Sequence, residues 1–306
     1  MRAIYEASFY SVYFAPRGAE RLLTLGDELA GRHLNHRDRL IGIVGDAGSG
    51  KSSIIKGMFP GLSLTNDDDV INPLRLMQIK TNLDNDYTQT TYHIDMRFQM
   101  AFTQMFDIVQ FVKGALDKKR RVIIEHFDLI YPYLNLNADL LVGIGAEIIV
   151  TRPTIFGPLP SDIYKIVFES VKIRKMIHTS EDLLLHIINV EYKNTLKYTF
   201  EDVRGGFVLR FKEKPDFEIS TLQERVLHYI SKNIDVSYYD ETHIKIGDFI
   251  EYCTGPRIHV KNTKYIDNFR LIQEFIEDKG DFLLVGLCGK DKDRKDINKI
   301  YVEANE

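Results

Sequence analysis

Gly45, Asp46, Ala47, Gly48, Ser49, Gly50, Lys51 and Ser52 run consecutively and fit the phosphate-loop pattern G-x-x-x-x-G-K-[ST] at every defined position. Glycines let backbone N–H groups curl around phosphate oxygens, and the N-terminus of a following helix adds positive potential. Gly45 to Ser52, with Ser53 behind them, are therefore expected to cradle a nucleoside triphosphate, ATP foremost. Lys51 would reach the β- and γ-phosphates as a catalytic cation, and Ser52 would offer its hydroxyl to Mg²⁺. The context is the one such a motif needs: Leu40-Ile41-Gly42-Ile43-Val44 reads as a buried strand, and Ser53-Ile54-Ile55-Lys56-Gly57 as the opening of a helix.

A phosphate loop also needs an acid to hold the Mg²⁺ shell or orient the attacking group, usually at the end of a neighbouring buried strand. Glu125 ends the run Val122-Ile123-Ile124, and Asp95 ends a strand around Ile94. Asp128 is a weaker third choice. The bland alternative for each acid is a helix N-cap or a surface turn.

A second group of chemically capable residues lies far downstream. His178 and Asp182 are four apart, so on a helix they share a face and can address one ion. Cys253 and His259 could complete a tetrahedral Zn²⁺ site from a distant loop. Four buried structural residues without a metal are the alternative. His186 falls on nearly the same face, two turns on, too far to share that ion.

The elements that must position these residues follow from periodicity and breakers. Leu22, Leu23, Leu25, Leu29 and Ala30 predict a helix over 20–32, and the phosphate-loop helix ends near Phe59-Pro60-Gly61. Residues 63–90 are polar and turn-rich, with Asp67-Asp68-Asp69 and Asp84-Asn85-Asp86, and predict a loop beside the phosphates. Strands are expected at 91–96, 121–125 and 147–151, with a helix over 98–117 between the first two. This alternation predicts an α/β fold with a parallel sheet and helices on both faces, the three-layer P-loop NTPase arrangement. After Pro153, Pro158 and Pro160, helices are expected from Asp162 toward Met176 and from His178 to Val190. The texture changes near residue 172, so a nucleotide-binding domain over 1–171 and an α+β domain over 172–306 are expected. In the latter, Phe207–Phe211 reads as a strand, and Ser220 with Gln223 as a capping box opening a helix. Short strands are expected near 235–250 and 265–275, and a solvated turn over Lys290 to Lys299.

Two family resemblances attach to these residues. The stretch Thr24-Leu25-Gly26-Asp27-Glu28-Leu29-Ala30, the phosphate loop, Tyr92-His93-Ile94-Asp95-Met96-Arg97 and Val122-Ile123-Ile124-Glu125 resemble, in that order, the ATPase of bacterial threonylcarbamoyladenosine tRNA modification. The resemblance implies that Asp95 is a catalytic or Mg²⁺-associated acid and Glu125 a Walker-B-type acid. Ser52 stands where that family usually has threonine. Thr65-Asn66-Asp67-Asp68 also resembles small-molecule kinases of the uridine-kinase type, in which an acid there handles the acceptor hydroxyl. In the second half, His178-Thr179-Ser180-Glu181-Asp182-Leu183-Leu184, then Val208–Phe211, then Cys253-Thr254-Gly255 through His259-Val260 resemble the second additional (editing) domain of alanyl-tRNA synthetases. That resemblance implies a pocket of His178, Asp182, Cys253 and His259 and a charged tRNA acceptor end as ligand. It departs from the family in having Asp182 for a histidine and five residues, not three, between Cys253 and His259.

Composition sets the outer limits. The chain has 306 residues, enough for two cored domains. With only two cysteines, Cys253 and Cys288, it implies no disulfide framework and suits a reducing cytoplasm. A net charge of −4 gives no global pull toward nucleic acid, so a tRNA or aminoacyl-tRNA partner would need local basic patches. No apolar run reaches the length of a signal peptide or membrane span. The function expected is ATP hydrolysis coupled to an editing-like domain in tRNA metabolism. The alternatives are a small-molecule kinase and a nucleotide-gated binding module.

Overall fold

The computed structural model describes residues 10–64, 66–67, 70–71, 87–191, 196–240, 242–253 and 258–289. The chain divides into two compact units, Met1–Tyr13 with Ala19–Glu169, and Phe14–Gly18 with Ser170–Glu306. It is a mixed α/β protein, and among the described residues no helix is long and apolar enough to cross a membrane.

Strands are numbered β1 (Ser11–Phe14), β2 (Leu40–Gly45), β3 (Asn66–Asp67), β4 (Val70–Ile71), β5 (Thr91–Asp95), β6 (Arg121–Glu125), β7 (Leu140–Ile144) and β8 (Glu147–Thr151) through the first unit. Helices there are α1 (Ala19–His33), α2 (Lys51–Met58), α3 (Met96–Gln99), α4 (Met105–Asp117) and α5 (Phe127–Leu134). The main sheet has the order β1-β8-β7-β2-β6-β5. β2 is buried at all six residues because it lies between β6 and β7, and both pairings are parallel. A near-continuous apolar run is what a strand covered on both faces requires.

Two expectations for this sheet need correction. β7, which no expected strand covered, lies beside β2, and its pairing with β8 is antiparallel. Gly145 and Ala146 alone join β7 to β8, too few residues for the crossover a parallel pair demands. The sheet is thus parallel from β5 to β7 and antiparallel between β7 and β8. The helix expected over 98–117 is also broken, with a turn at residues 100–104 between α3 and α4. Inside the turn, Gln99 Nε2 donates to Thr103 Oγ1 at 2.6 Å, both side chains buried.

Before the sheet, α1 and α2 approach backbone to backbone. A Cβ on Gly57 would lie 2.0 Å from Leu23 O, and one on Gly26 2.4 Å from Ile54 O. Only glycine at both positions permits that approach.

α6 (Pro160–Glu191) is one helix of 32 residues where two were expected. Ser161 to Glu191 contain neither glycine nor proline, so nothing in the backbone ends it. Residues of α6 through Glu169 belong to the first unit and those from Ser170 to the second. The second unit adds β9 (Tyr198–Val203), β10 (Gly206–Phe211), α7 (Ile219–Ser231), β11 (Val236–Asp240), β12 (His243–Ile246), β13 (Phe249–Tyr252), β14 (Arg270–Leu271), β15 (Ile276–Asp278) and β16 (Asp281–Leu287). β10 pairs antiparallel with β9 and β16, while β11, β12 and β13 form a separate antiparallel sheet. Leu183, Leu184 and Ile187 of α6 join Leu209, Phe211, Val226, Ile244 and Leu284 in its core.

The expected capping box does not form. Glu218 holds the N-cap position of α7 without a side-chain cap, and the Gln223 Oε1 instead accepts from Leu271 N at 2.7 Å, tying α7 to β14. Most of the expected loop over 63–90, the Asp68 and Asp69 acids, residues 254–257 and the turn at Lys290 to Lys299 lie outside the described residues.

Candidate functional site

The phosphate loop leaves β2 and enters α2 through residues whose backbone only glycine adopts easily. Gly48 has φ 73° and Gly50 φ 96°, and Gly50 is the N-cap of α2 with no side-chain cap on the first-turn N–H groups. Uncapped N–H groups on a left-handed turn are the anion-binding geometry of a phosphate loop. A Cβ on Gly50 would also stand 2.7 Å from Leu22 Cδ1 of α1. Lys51 is buried, its Nζ donating to Asp46 O at 3.0 Å and lying 3.7 Å from Glu125 Oε2.

The parallel register brings the expected acids to this loop. Asp95 pairs with Glu125 across β5 and β6, and Glu125 pairs with Ile43 on β2. Both acids therefore sit at the carboxyl ends of their strands, Glu125 on β6 beside β2 and Asp95 on β5 one strand further out. β2 has β6 on one side and β7 on the other, the switch point where open α/β sheets bind ligands.

Glu125 is buried, and burial alone would push its pKa up. The hydrogen bond and charge of His93, then Lys51 and His126, outweigh that and hold it below the ordinary carboxylate range. His93 Nε2 lies 3.1 Å from Glu125 Oε1, with the imidazole fully buried. Asp95 goes the other way: burial and the charge of Glu125 raise its pKa, against Phe98 N–H, Lys51 and His93. Its Oδ1 accepts from Phe98 N at 3.2 Å, so Asp95 also caps α3.

His126, next in line at φ 56°, is pushed down to about 4 by burial and by Lys51 and Arg97. Asp128 is raised by burial, and its Oδ1 is buried without a hydrogen-bond partner. Arg97 Nη1 lies 3.8 Å from Asp46 Oδ1 at the loop. The sequence reading missed His93, Arg97 and His126. The spacing of His93 two residues before Asp95 on one strand, hence on one face, was the available signal.

In the second unit, three of the four expected ligands converge. One ligand atom each from Asp182, Cys253 and His259 lies within 4.8 Å of the others, and Cys253 Sγ is 3.4 Å from His259 Nε2. His178 is not among them; its ring centroid is 6.0 Å from that of His259. α6 supplies Asp182 and holds the segment that carries His259 too: Thr179 Oγ1 accepts from Val260 N at 3.1 Å, one residue past His259.

No local pattern marks Arg17, which belongs to the same unit. Its Nη1 donates to Glu181 Oε2 at 2.6 Å, its Nη2 bonds Asp182 Oδ1, and Nη2 lies 3.8 Å from Cys253 Sγ. Burial works against the guanidinium charge, but Asp182, Glu181 and Cys253 raise its pKa well above the ordinary value. Burial and Arg17 hold His259 down to about 3, so its imidazole is neutral. Burial pushes Asp182 up to about 7, with Glu181 and Glu251 adding to the rise and the charge and hydrogen bond of Arg17 opposing it. A Zn²⁺ ion ligated by Asp182 and Cys253 would share their electrons with a guanidinium already placed on them. The donor set does not fit zinc while Arg17 stands there.

No family model matches the chain, and no curated protein does. Among solved structures, an N-acetylornithine aminotransferase from Stenotrophomonas maltophilia aligns over 85% of this chain and 72% of its own at 9% identity, with a TM-score of 0.22, a likeness too slight to carry fold or function.

Proposed function

We propose that the first unit is a three-layer P-loop domain that binds Mg²⁺ with a nucleoside triphosphate, ATP foremost, and hydrolyses its terminal phosphate. The observation that carries this is the placement of Lys51, Glu125 and Asp95 around a left-handed glycine turn at the switch point of the sheet. Lys51 transfers its Nζ from Asp46 O and Glu125 to the β- and γ-phosphate oxygens, where its charge offsets theirs. Glu125, kept ionised by His93, accepts a hydrogen bond from the attacking water and aims it. Mg²⁺, held by the Ser52 hydroxyl and the Asp95 carboxylate, would neutralise charge developing on the phosphate oxygens.

Phosphate release from Mg·ATP by the full chain tests the reading. Glu125→Gln is expected to slow turnover about 100-fold or more with nucleotide affinity kept. Equal turnover in this variant and the wild type would overturn the role of Glu125. For the second unit, the order of motifs that resembles editing domains supports recognition of a tRNA acceptor end without zinc hydrolysis. Retention of aminoacylated and uncharged tRNA on the immobilised chain measures that; no retention of either removes it.

A further inference from the structure

The cluster on α6 contains a cation of its own. Glu181, Asp182, Cys253 and His259 are all buried or nearly so, and Arg17 reaches them with a side chain only 9% exposed. A buried carboxylate pair is costly unless a positive charge and hydrogen bonds compensate it. Arg17 provides both through two separate nitrogens, in the fork geometry that suits carboxylates.

The backbone that delivers Arg17 is fixed on both sides. Pro16 locks the preceding φ, and its carbonyl accepts from Arg174 Nη2 of α6 at 3.3 Å. Ala15 is buried, and Gly18 turns the chain away at φ 101°. The guanidinium is therefore placed by a tethered turn and not by the swing of a long surface side chain. Meanwhile Cys253 Sγ and His259 Nε2 keep a separation of 3.4 Å, close to an edge of a tetrahedral metal site.

We infer that Arg17 is the resident cation of the Asp182–Cys253–His259 cluster, closing by its guanidinium a site that becomes a divalent-metal site once Arg17 is removed. The competition is electrostatic and steric together: Nη2 sits on one prospective ligand and within 4 Å of another. The inference does not depend on nucleotide hydrolysis, and its failure would leave that reading standing.

The test is titration of the full chain, after removal of metals by chelator, with Zn²⁺ and with Co²⁺, whose thiolate complexes absorb in the near ultraviolet. The wild type is expected to bind neither ion at this cluster and to show no thiolate–cobalt absorption. Arg17→Met is expected to bind one equivalent roughly 100-fold more tightly or better, with that absorption, because a unit charge beside the ion has gone. Adding Cys253→Ser to Arg17→Met should abolish the absorption. One equivalent of Zn²⁺ held as tightly by the wild type, or folded Arg17→Met that binds none, would overturn the inference. If Arg17→Met does not fold, the wild type decides alone. Zn²⁺ that raises its melting temperature by several degrees and shields Cys253 from a thiol reagent contradicts the inference, and Zn²⁺ that does neither upholds it.

Discussion

Asp95 has a structural and a proposed catalytic role, and two substitutions separate them. As the N-cap of α3 it satisfies Phe98 N–H, which asparagine does nearly as well as aspartate and alanine does not. Asp95→Asn should leave chemical-denaturation stability unchanged but slow phosphate release, whereas Asp95→Ala should also cost about 1 kcal/mol. If Asp95→Asn hydrolyses ATP at the wild-type rate, the acid is a cap and nothing more. His126 gives a pH signature. Its folded-state pKa is depressed to about 4 from an ordinary 6.5, so the unfolded chain takes the proton first. Stability from this group is full above pH 6.5 and lost as pH falls through 6.5 toward 4. Allowing for solvent screening, the loss should be about 1–2 kcal/mol, read as the difference in unfolding free energy between pH 7 and pH 4.5. His126→Asn, which tolerates the left-handed backbone, should flatten that slope; an unchanged slope would refute the assignment. At this scale the sequence was legible where an acid ends an apolar run, as Glu125 and Asp95 do. It was silent on Arg17, whose partners Glu181 and Asp182 lie more than 160 residues away, since no local pattern marks a distant ion pair.

Among the elements, the α1–α2 contact has the clearest consequence. The Cβ of Gly57→Ala would meet Leu23 O, a backbone atom that cannot rotate away, so α2 must shift. A cost of about 1–3 kcal/mol is expected, with weakened nucleotide affinity because α2 begins at Lys51. Gly31→Ala is the control: in α1 with open space around it, it should stabilise by roughly 0.5–1 kcal/mol. Equal effects of the two alanines on unfolding would mean that the close approach is not real. α1 was legible from apolar residues recurring at helical period, β10 from alternation and β-formers, and β2 and β6 from continuous apolar runs bounded by polar residues. β7 was not, because its run Leu-Leu-Val-Gly-Ile carries no alternation, and a short continuous apolar run cannot be told from a buried helix segment by periodicity. α6 was read as two helices because a change in composition near residue 172 resembles a boundary, although helix ends depend on capping and breakers, and none is there.

For the whole molecule, the central claim is that the first unit takes a nucleoside triphosphate through Lys51. The composition could bound the size and the thiol chemistry of the chain. It could not show that Phe14–Gly18 groups with the distant second unit, because that grouping is made by tertiary contacts and leaves no mark on local sequence. A ligand that binds only the folded chain stabilises it by mass action, about 2.7 kcal/mol at 100 times its dissociation constant. Isothermal titration calorimetry of Mg·ATP into the full chain and into Lys51→Ala is the most direct measurement. The expected result is one equivalent bound by the wild type and no detectable heat of binding from Lys51→Ala, with unaltered circular dichroism. Equal affinity in the two proteins, or no binding by the wild type, would contradict the account.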